Sequence, residues 1–222
     1  MIKLGLKIGS KDIQYTEEIL RYYDEGIFQY IELFAIPETY SDTISYWKQF
    51  DIPFGIHAPH SAAGLNLANV SARNINKTKI QDAVKFADDL KASYIIFHSG
   101  VNGMPNEVVQ QLLPLADNRF LIENKPIRGI DGSTCVGSIY SDLKMIIDGI
   151  GKGTGFCLDF GHAICAARTL KKNITDIACA TSSSSASITG AVAAIAEPPQ
   201  IDDPTPTRVA ILPGTLRSLN NT

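Results

Sequence analysis

The stretch IQDAVKFADDLKASYIIFH, residues 80–98, decides the fold because it joins a helical pattern directly to a strand pattern. Its first part places apolar side chains along one helical face, at Ile80, Ala83, Val84, Ala87 and Leu90. Its last part, Tyr94-Ile95-Ile96-Phe97-His98, is a continuous apolar run that is typical of a strand buried on both faces. An amphipathic helix that leads into such a strand predicts a parallel sheet covered by helices.

The same alternation covers the chain from residue 2 to residue 171. The predicted strands are residues 2–8, 28–34, 53–57, 94–98, 119–123 and 155–159. The predicted helices are residues 15–25, 40–50, 71–91, 105–116, 138–150 and 162–171. Units of about 28 residues are close in length to those of a TIM barrel, which has ~250 residues in eight units. The predicted fold class is therefore α/β, a (β/α)8 TIM barrel of which this chain carries about six units.

A doubly wound open sheet is the structural alternative to the barrel. That fold usually carries a glycine-rich fingerprint after the first strand, whereas this chain has Ile8-Gly9-Ser10-Lys11-Asp12 at that point. The barrel is therefore the preferred interpretation of the first 170 residues.

The composition changes after about residue 172. Residues 181–187 read TSSSSAS, and residues 197–207 contain four prolines. We therefore expect an incomplete TIM-barrel domain over residues 1–172 and a low-complexity or atypical tail over residues 173–222. A shifted reading frame or a truncated barrel is our hypothesis for this tail, because two further βα units would be expected there.

Composition and charge narrow the class of protein. The chain has 222 residues, 45% of them hydrophobic, and a net charge of −3. No apolar run approaches the ~20 residues of a membrane helix, and lysines interrupt the apolar N-terminal run, so we expect a cytoplasmic protein without a signal peptide or membrane partner. No basic run supports nucleic-acid binding. The four cysteines form no CxxC pair, so free thiols are expected.

Histidines and carboxylates stand at the ends of successive strands. They are His57 and His60 after the third strand, His98 after the fourth, Glu123 ending the fifth, and Asp159 and His162 around the end of the sixth. In a TIM barrel the carboxyl ends of the strands meet at one mouth. Imidazole and carboxylate ligands together suit zinc, manganese or magnesium, so the pattern predicts a shared divalent-metal site.

Four short motifs surround these residues: HAPH at 57–60, FHSG at 97–100, LIENKP at 121–126 and LDFGH at 158–162. In this order, each closing a predicted strand, they resemble motifs of the xylose-isomerase-like TIM-barrel superfamily. That group includes sugar and sugar-phosphate isomerases and epimerases, and the endonuclease IV type of apurinic endonuclease (family 2). The resemblance covers about residues 1–170.

The resemblance implies a role for each motif residue. The implied metal ligands are His57, His98, Glu123, Asp159 and His162. Glu123 is also the implied acid–base group. The spacing, and not the resemblance, places Lys125 on the same side of the extended strand end as Glu123. Lys125 is therefore either a second candidate catalytic residue that meets a substrate phosphate or hydroxyl, or a surface lysine on a loop. His60 stands where the nuclease type has tyrosine, and it is the alternative to His57 as a ligand.

The chain also departs from the pattern of this superfamily. It has no histidine after His162, and Glu197 is the one glutamate of the tail, so the later ligands and the second carboxylate of the isomerases are missing. The leading interpretation is a metal-dependent isomerase or epimerase of sugars or sugar phosphates, in an active, truncated or inactive form. The first alternative is a zinc-dependent apurinic endonuclease, disfavoured by the small side chains of Ser61-Ala62-Ala63-Gly64. The second is a non-catalytic metal-binding barrel fragment, whose open sheet edge would favour a homo-oligomer.

Overall fold

The computed structural model describes residues 3–172 and the backbone of residues 194–195 and 209–212. Its strands are β1 (Lys3–Gly9), β2 (Tyr30–Phe34), β3 (Phe54–His57), β4 (Ile95–His98), β5 (Phe120–Glu123), β6 (Gly155–Asp159), β7 (Ala194–Ile195) and β8 (Val209–Leu212). Its α-helices are α1 (Thr16–Asp24), α2 (Tyr40–Trp47), α3 (Arg73–Asp89), α4 (Pro105–Leu112), α5 (Tyr140–Ile150) and α6 (Phe160–Leu170).

Six parallel strands with a helix after each form the main part of the barrel. Every strand from β1 to β6 pairs in parallel with the next one along the chain. This arrangement confirms the prediction of a TIM barrel with about six βα units. No helix in the described part of the chain is long and apolar enough to cross a membrane.

The sheet closes in a way that the six predicted units did not indicate. Strand β7 pairs in parallel with β6, whereas β8 runs antiparallel to both β7 and β1. These two strands cover the edges of β1 and β6, which we expected to be open. The expectation of a homo-oligomer, which rested on an open edge, therefore loses its basis. The rest of the predicted tail lies outside the described residues, so the division at residue 172 stays a prediction.

Local chemistry explains where two helices differ from their predicted bounds. The side chain of Asn69 accepts a hydrogen bond from the Ser71 amide at 2.9 Å, which holds Val70–Ala72 in a 3-10 turn and delays α3 to Arg73. Pro114 cannot donate the backbone hydrogen bond that would extend α4, and the chain turns instead into a short 3-10 helix.

Side chains alternate between two apolar layers along the strands. Outward-facing Ile95 and Phe97 of β4 join the large core that packs the barrel against its helices. Inward-facing Ile96 belongs to a small cluster inside the barrel, which consists of Tyr30, Tyr94, Ile96, Leu121 and Cys157. A Cβ atom at Gly5 would overlap the ring of Tyr30, so glycine at this position makes room for the filling of the lower barrel.

The strand register sorts the inward-facing residues into layers. Lys7 pairs with Glu32 and Glu32 with Gly55, two residues before His57. His57 pairs with Ile96 and Ile96 with Leu121, two residues before Glu123. Because a layer rises by about one residue per strand in a barrel of shear eight, Lys7, His57 and Glu123 share one layer. The layer above, at the carboxyl ends, contains Phe34, His98 and Asp159.

Candidate metal centre

Glu123 lies at the centre of the site. It ends β5, is 1% exposed, and has ring nitrogens of three histidines around its carboxylate. Oε1 is 2.9 Å from His98 Nε2 and 3.1 Å from His162 Nδ1, and Oε2 is 3.4 Å from His57 Nε2. Burial by itself would raise the pKa of the Glu123 carboxyl, but the nearby histidines, His98 foremost, hold that pKa well below its usual range.

His57 presents a bare nitrogen to this carboxylate. Its Nδ1 is 2.8 Å from the carbonyl oxygen of Ala58, which can only accept, so the neutral ring carries its proton on Nδ1. Nε2 then has a lone pair directed at Glu123 Oε2. Neither of these two buried atoms has a hydrogen-bond partner, which is the arrangement that a bound cation would complete.

His98 is held from its opposite side by Lys125. The ammonium Nζ of Lys125 lies 2.9 Å from His98 Nδ1, so Nδ1 accepts and the proton of the neutral ring lies on Nε2, facing Glu123. Burial holds the pKa of His98 well below its usual range, although Glu123 acts in the opposite direction. A metal ion on Nε2 would displace this proton and change the contact with Lys125.

Asn124 positions Asp159 and His162, the two candidate ligands around the end of β6. Its side-chain amide donates to the carbonyl oxygen of Asp159 at 2.9 Å and accepts from the Asp159 amide at 2.6 Å. Its backbone carbonyl accepts from His162 Nδ1 at 2.9 Å, and Asp159 Oδ1 caps α6 by accepting from the His162 amide at 2.7 Å. Asp159 and His162 are therefore fixed relative to Glu123.

The described residues form two overlapping groups that could hold a metal ion. One contains His57, His98 and Glu123, and the other contains Glu123, Asp159 and His162, with the ligand atoms of each group within 4.8 Å of one another. All five predicted ligands thus lie in one cluster and share Glu123. Imidazole nitrogens and carboxylate oxygens that are buried and face one another fit a divalent cation.

His60, the alternative to His57, lies beside the cluster in a ring stack. Its ring stacks on His98 with centroids 5.8 Å apart and an interplanar angle of 24°, and its other neighbour is Phe34, at 5.4 Å. Burial, together with the charges of His57 and Lys125, lowers the pKa of His60 to about 4. Among the described residues, His60 belongs to neither metal-binding group, so the geometry favours His57 as the ligand.

Two features of the site escaped the sequence analysis. Lys7 points into the barrel and pairs with Glu32 at 3.0 Å, although the alternation of apolar residues in residues 2–8 already places Lys7 on the inner face. The pairing of Asn124 with Asp159 joins residues 35 positions apart and has no local signal in the sequence.

Comparisons with known proteins agree with this architecture. No protein-family model matches the chain. A curated protein of Thermoplasma volcanium, named as a probable endonuclease 4, is 26% identical over 112 residues, which make up 47% of this chain and 39% of that protein. The match therefore spans well under half the length of this relative.

Two solved structures have the same fold. Endonuclease IV from Thermus thermophilus is 18% identical, with a TM-score of 0.58 over 80% of this chain and 70% of that one. A D-tagatose 3-epimerase-like protein is 19% identical, with a TM-score of 0.55 over 80% of this chain and 71% of that one. The resemblance to the xylose-isomerase-like TIM barrels, stated above from four motifs, is thus confirmed in the fold.

Proposed function

We propose that this protein is a metal-dependent isomerase or epimerase of sugars or sugar phosphates. The observation that carries the proposal is the gathering of three histidines and Asp159 around the buried carboxylate of Glu123 at the mouth of the barrel. The named similarity to a D-tagatose 3-epimerase-like protein supports the same class of substrate. A divalent cation held there would polarise the oxygens of a sugar and ease the removal of a proton from the neighbouring carbon.

The five clustered residues divide the work of binding and catalysis. His57 and His98 would hold one ion together with Glu123, and Asp159 and His162 would hold a second ion through the same carboxylate. A mixed set of imidazoles and carboxylates suits zinc or manganese better than magnesium, which prefers oxygen ligands alone. Glu123, with a pKa held low, would be an ionised ligand. Its position among the other candidate ligands, and not its pKa, is the reason to propose it also as the acid–base group.

Lys125 is the second catalytic residue of the proposal. Its ammonium group lies at the cluster, 2.9 Å from His98 Nδ1, and the residue is half-buried. A lysine at this point can donate hydrogen bonds to a hydroxyl or phosphate oxygen of a sugar that binds over Glu123.

A zinc-dependent apurinic endonuclease is the second candidate function. The curated relative supports it, and so does a turn after β5, where Arg128 pairs with Thr134 and Ile130 is fully exposed at the tip. Exposed apolar side chains next to a cation are the kind that enter base steps of DNA. The net charge of −3 and the small side chains of Ser61–Ala63 favour the isomerase instead.

The test is proton exchange on sugars in heavy water. The full chain, loaded in turn with Zn²⁺, Mn²⁺ and Mg²⁺, is incubated with pentoses, hexoses and their phosphates, and NMR follows deuterium at the carbon next to the carbonyl. We expect incorporation with at least one sugar and its loss in Glu123→Gln. Nicking of an abasic oligonucleotide without sugar exchange would replace this proposal by the nuclease, and bound metal with neither activity would leave the non-catalytic alternative.

A further inference from the structure

We propose that Lys7 is a further catalytic residue, whose ammonium group donates a hydrogen bond to the sugar oxyanion on the wall of the barrel opposite Glu123. The inference rests on the proposed isomerase or epimerase function. It adds a substrate-facing group that is distinct from the metal ligands and from Lys125.

The strand register places Lys7 in the same layer as two of the candidate metal ligands. Lys7, His57 and Glu123 occupy one layer of inward-facing side chains on β1, β3 and β5. Strands β1 and β5 are four positions apart in the eight-stranded closed barrel, so they face each other across its axis. A sugar bound over Glu123 therefore has Lys7 on its other side.

Glu32 keeps Lys7 charged and in place. Lys7 Nζ is 3.0 Å from Glu32 Oε1, and the Glu32 side chain is completely buried. The hydroxyl of Tyr94 donates to Glu32 Oε2 at 3.3 Å, which anchors the carboxylate from below. Burial lowers the pKa of Lys7, but Glu32 and, further off, Glu123 outweigh it, so the net pKa is raised and the group is an ammonium.

Lys7 keeps a small accessible surface above a buried layer of the barrel. Among the described residues, the layer beneath it contains Glu32, Ile96 and Cys157, each 0% exposed. The Lys7 side chain nevertheless keeps 12% of its surface accessible. The next residue on the same face of β1 is Gly9, and the side chains of Asp12 and Ile36 occupy the space that a Cβ atom there would need.

This position matches the chemistry that isomerisation requires. Glu123 takes the proton from the carbon next to the carbonyl, the C–H electron pair forms a C=C bond, and the carbonyl π pair moves to oxygen. An N–H of Lys7 donates to that oxygen while the charge develops. The oxyanion then takes the proton of the hydroxyl on the neighbouring carbon, the O–H electron pair of that hydroxyl forms the new C=O bond, and the C=C pair takes the proton back from Glu123 at the former carbonyl carbon. A fixed ammonium in a buried site stabilises such an oxyanion far better than water does.

The competing explanation is a purely structural ion pair. Replacement of a buried ion pair by neutral side chains is often tolerated, whereas removal of one partner leaves a buried charge and endangers the fold. The informative comparison is therefore the wild type, which carries the ammonium, against the double variant Lys7→Met with Glu32→Gln, which removes both charges of the pair. Lys3→Met, at the exposed start of the same strand, is the matched control.

The probe is acetohydroxamate, a small bidentate oxyanion that resembles an enediolate, and calorimetry measures its binding to the Zn²⁺-loaded full chain. We expect Lys3→Met to bind it within about threefold of the wild type, and the double variant to bind it about 30-fold or more weakly with unchanged Zn²⁺ loading. Equal binding by the double variant and the wild type would overturn the assignment of Lys7.

A second measurement on the wild type avoids any dependence on variant folding. NMR of the protein with ¹⁵N-labelled lysine ammonium groups gives a signal for Lys7, which is assigned by its loss in Lys7→Arg. We expect this signal to shift when acetohydroxamate is added. A Lys7 signal that does not shift when the protein is saturated with acetohydroxamate contradicts the proposal for Lys7. Failure of the Zn²⁺-loaded protein to bind acetohydroxamate contradicts it as well. Failure of the wild type to bind Zn²⁺ would instead refute the metal-dependent function itself.

Discussion

The side chain of Asn124 pairs with both backbone polar groups of Asp159, at 2.9 Å and 2.6 Å, and so extends the contact between β5 and β6 beyond the last ladder hydrogen bonds. Both residues are buried. The pairing fixes the second group of candidate ligands, whereas the first group, on β3 and β4, does not depend on it. The two halves of the metal centre can therefore be separated by mutation.

Asn124→Ala is expected to weaken metal binding by the half of the centre that contains Asp159 and His162. Loss of a residue that orients metal ligands costs about 10- to 100-fold in affinity, and the half formed by His57 and His98 should change by less than about threefold. A two-site titration with Co²⁺, followed by its visible absorption, measures both affinities. Asn118→Ala, at an exposed position before β5, is the control, and equal weakening of both sites would show that Asn124 acts only on the overall fold.

Lys125→Met is expected to tighten metal binding and to reduce turnover. The ammonium of Lys125 favours the His98 ring form that carries its proton on Nε2, so its removal frees this nitrogen for a metal ion. One hydrogen bond of about 1 kcal/mol corresponds to about fivefold in Zn²⁺ affinity. Competition with a chromophoric chelator measures this change, with Lys11→Met as the control. Weaker Zn²⁺ binding in Lys125→Met would refute the assigned ring form.

The metal-free protein should lose stability as the pH falls below about 6.5, the ordinary pKa of histidine. The pKa values of His98 and His60 are lowered in the folded state, that of His60 to about 4. The unfolded chain therefore binds more protons in this range, and unfolding becomes easier as the pH falls. Glu123, whose pKa is also lowered, adds to the loss below about pH 4.5.

Urea unfolding between pH 7.5 and pH 4.5 measures this dependence. The free energy of unfolding of His60→Asn should fall less steeply with pH than that of the wild type, because one titrating ring is gone. The control Lys11→Met, at an exposed site, should follow the wild type. A midpoint that stays constant or rises on acidification would contradict the environments described for these histidines.

Much of the fold and of the candidate site could be predicted from local patterns. The predicted end of each of strands three to six matches the structure, because a polar residue closes each apolar run at His57, His98, Glu123 or Asp159. Since parallel strands end at the same side of a barrel, the ligand cluster follows from these four ends. Both inferences depend only on residues that are neighbours along the chain.

The rest depends on contacts between distant residues. The inward position of Lys7 is visible in the alternation of β1, but its pairing with Glu32 and its layer with Glu123 require the register of five strands. The antiparallel pairing of β8 with β1 likewise has no signal in the composition of the tail. The ring form of His98 depends on Lys125, whose contact is set by the turn after β5 and not by spacing alone.

The most direct test of the account is the metal content of the full chain. The protein is stripped with a chelator, dialysed against Zn²⁺ or Mn²⁺ and analysed by mass spectrometry of the elements, beside Glu123→Gln. We expect at least about one equivalent of metal in the wild type and a large loss in Glu123→Gln, because this carboxylate is shared by both ligand groups. Fewer than ~0.1 equivalents in the wild type, or equal metal in both proteins, would contradict the account.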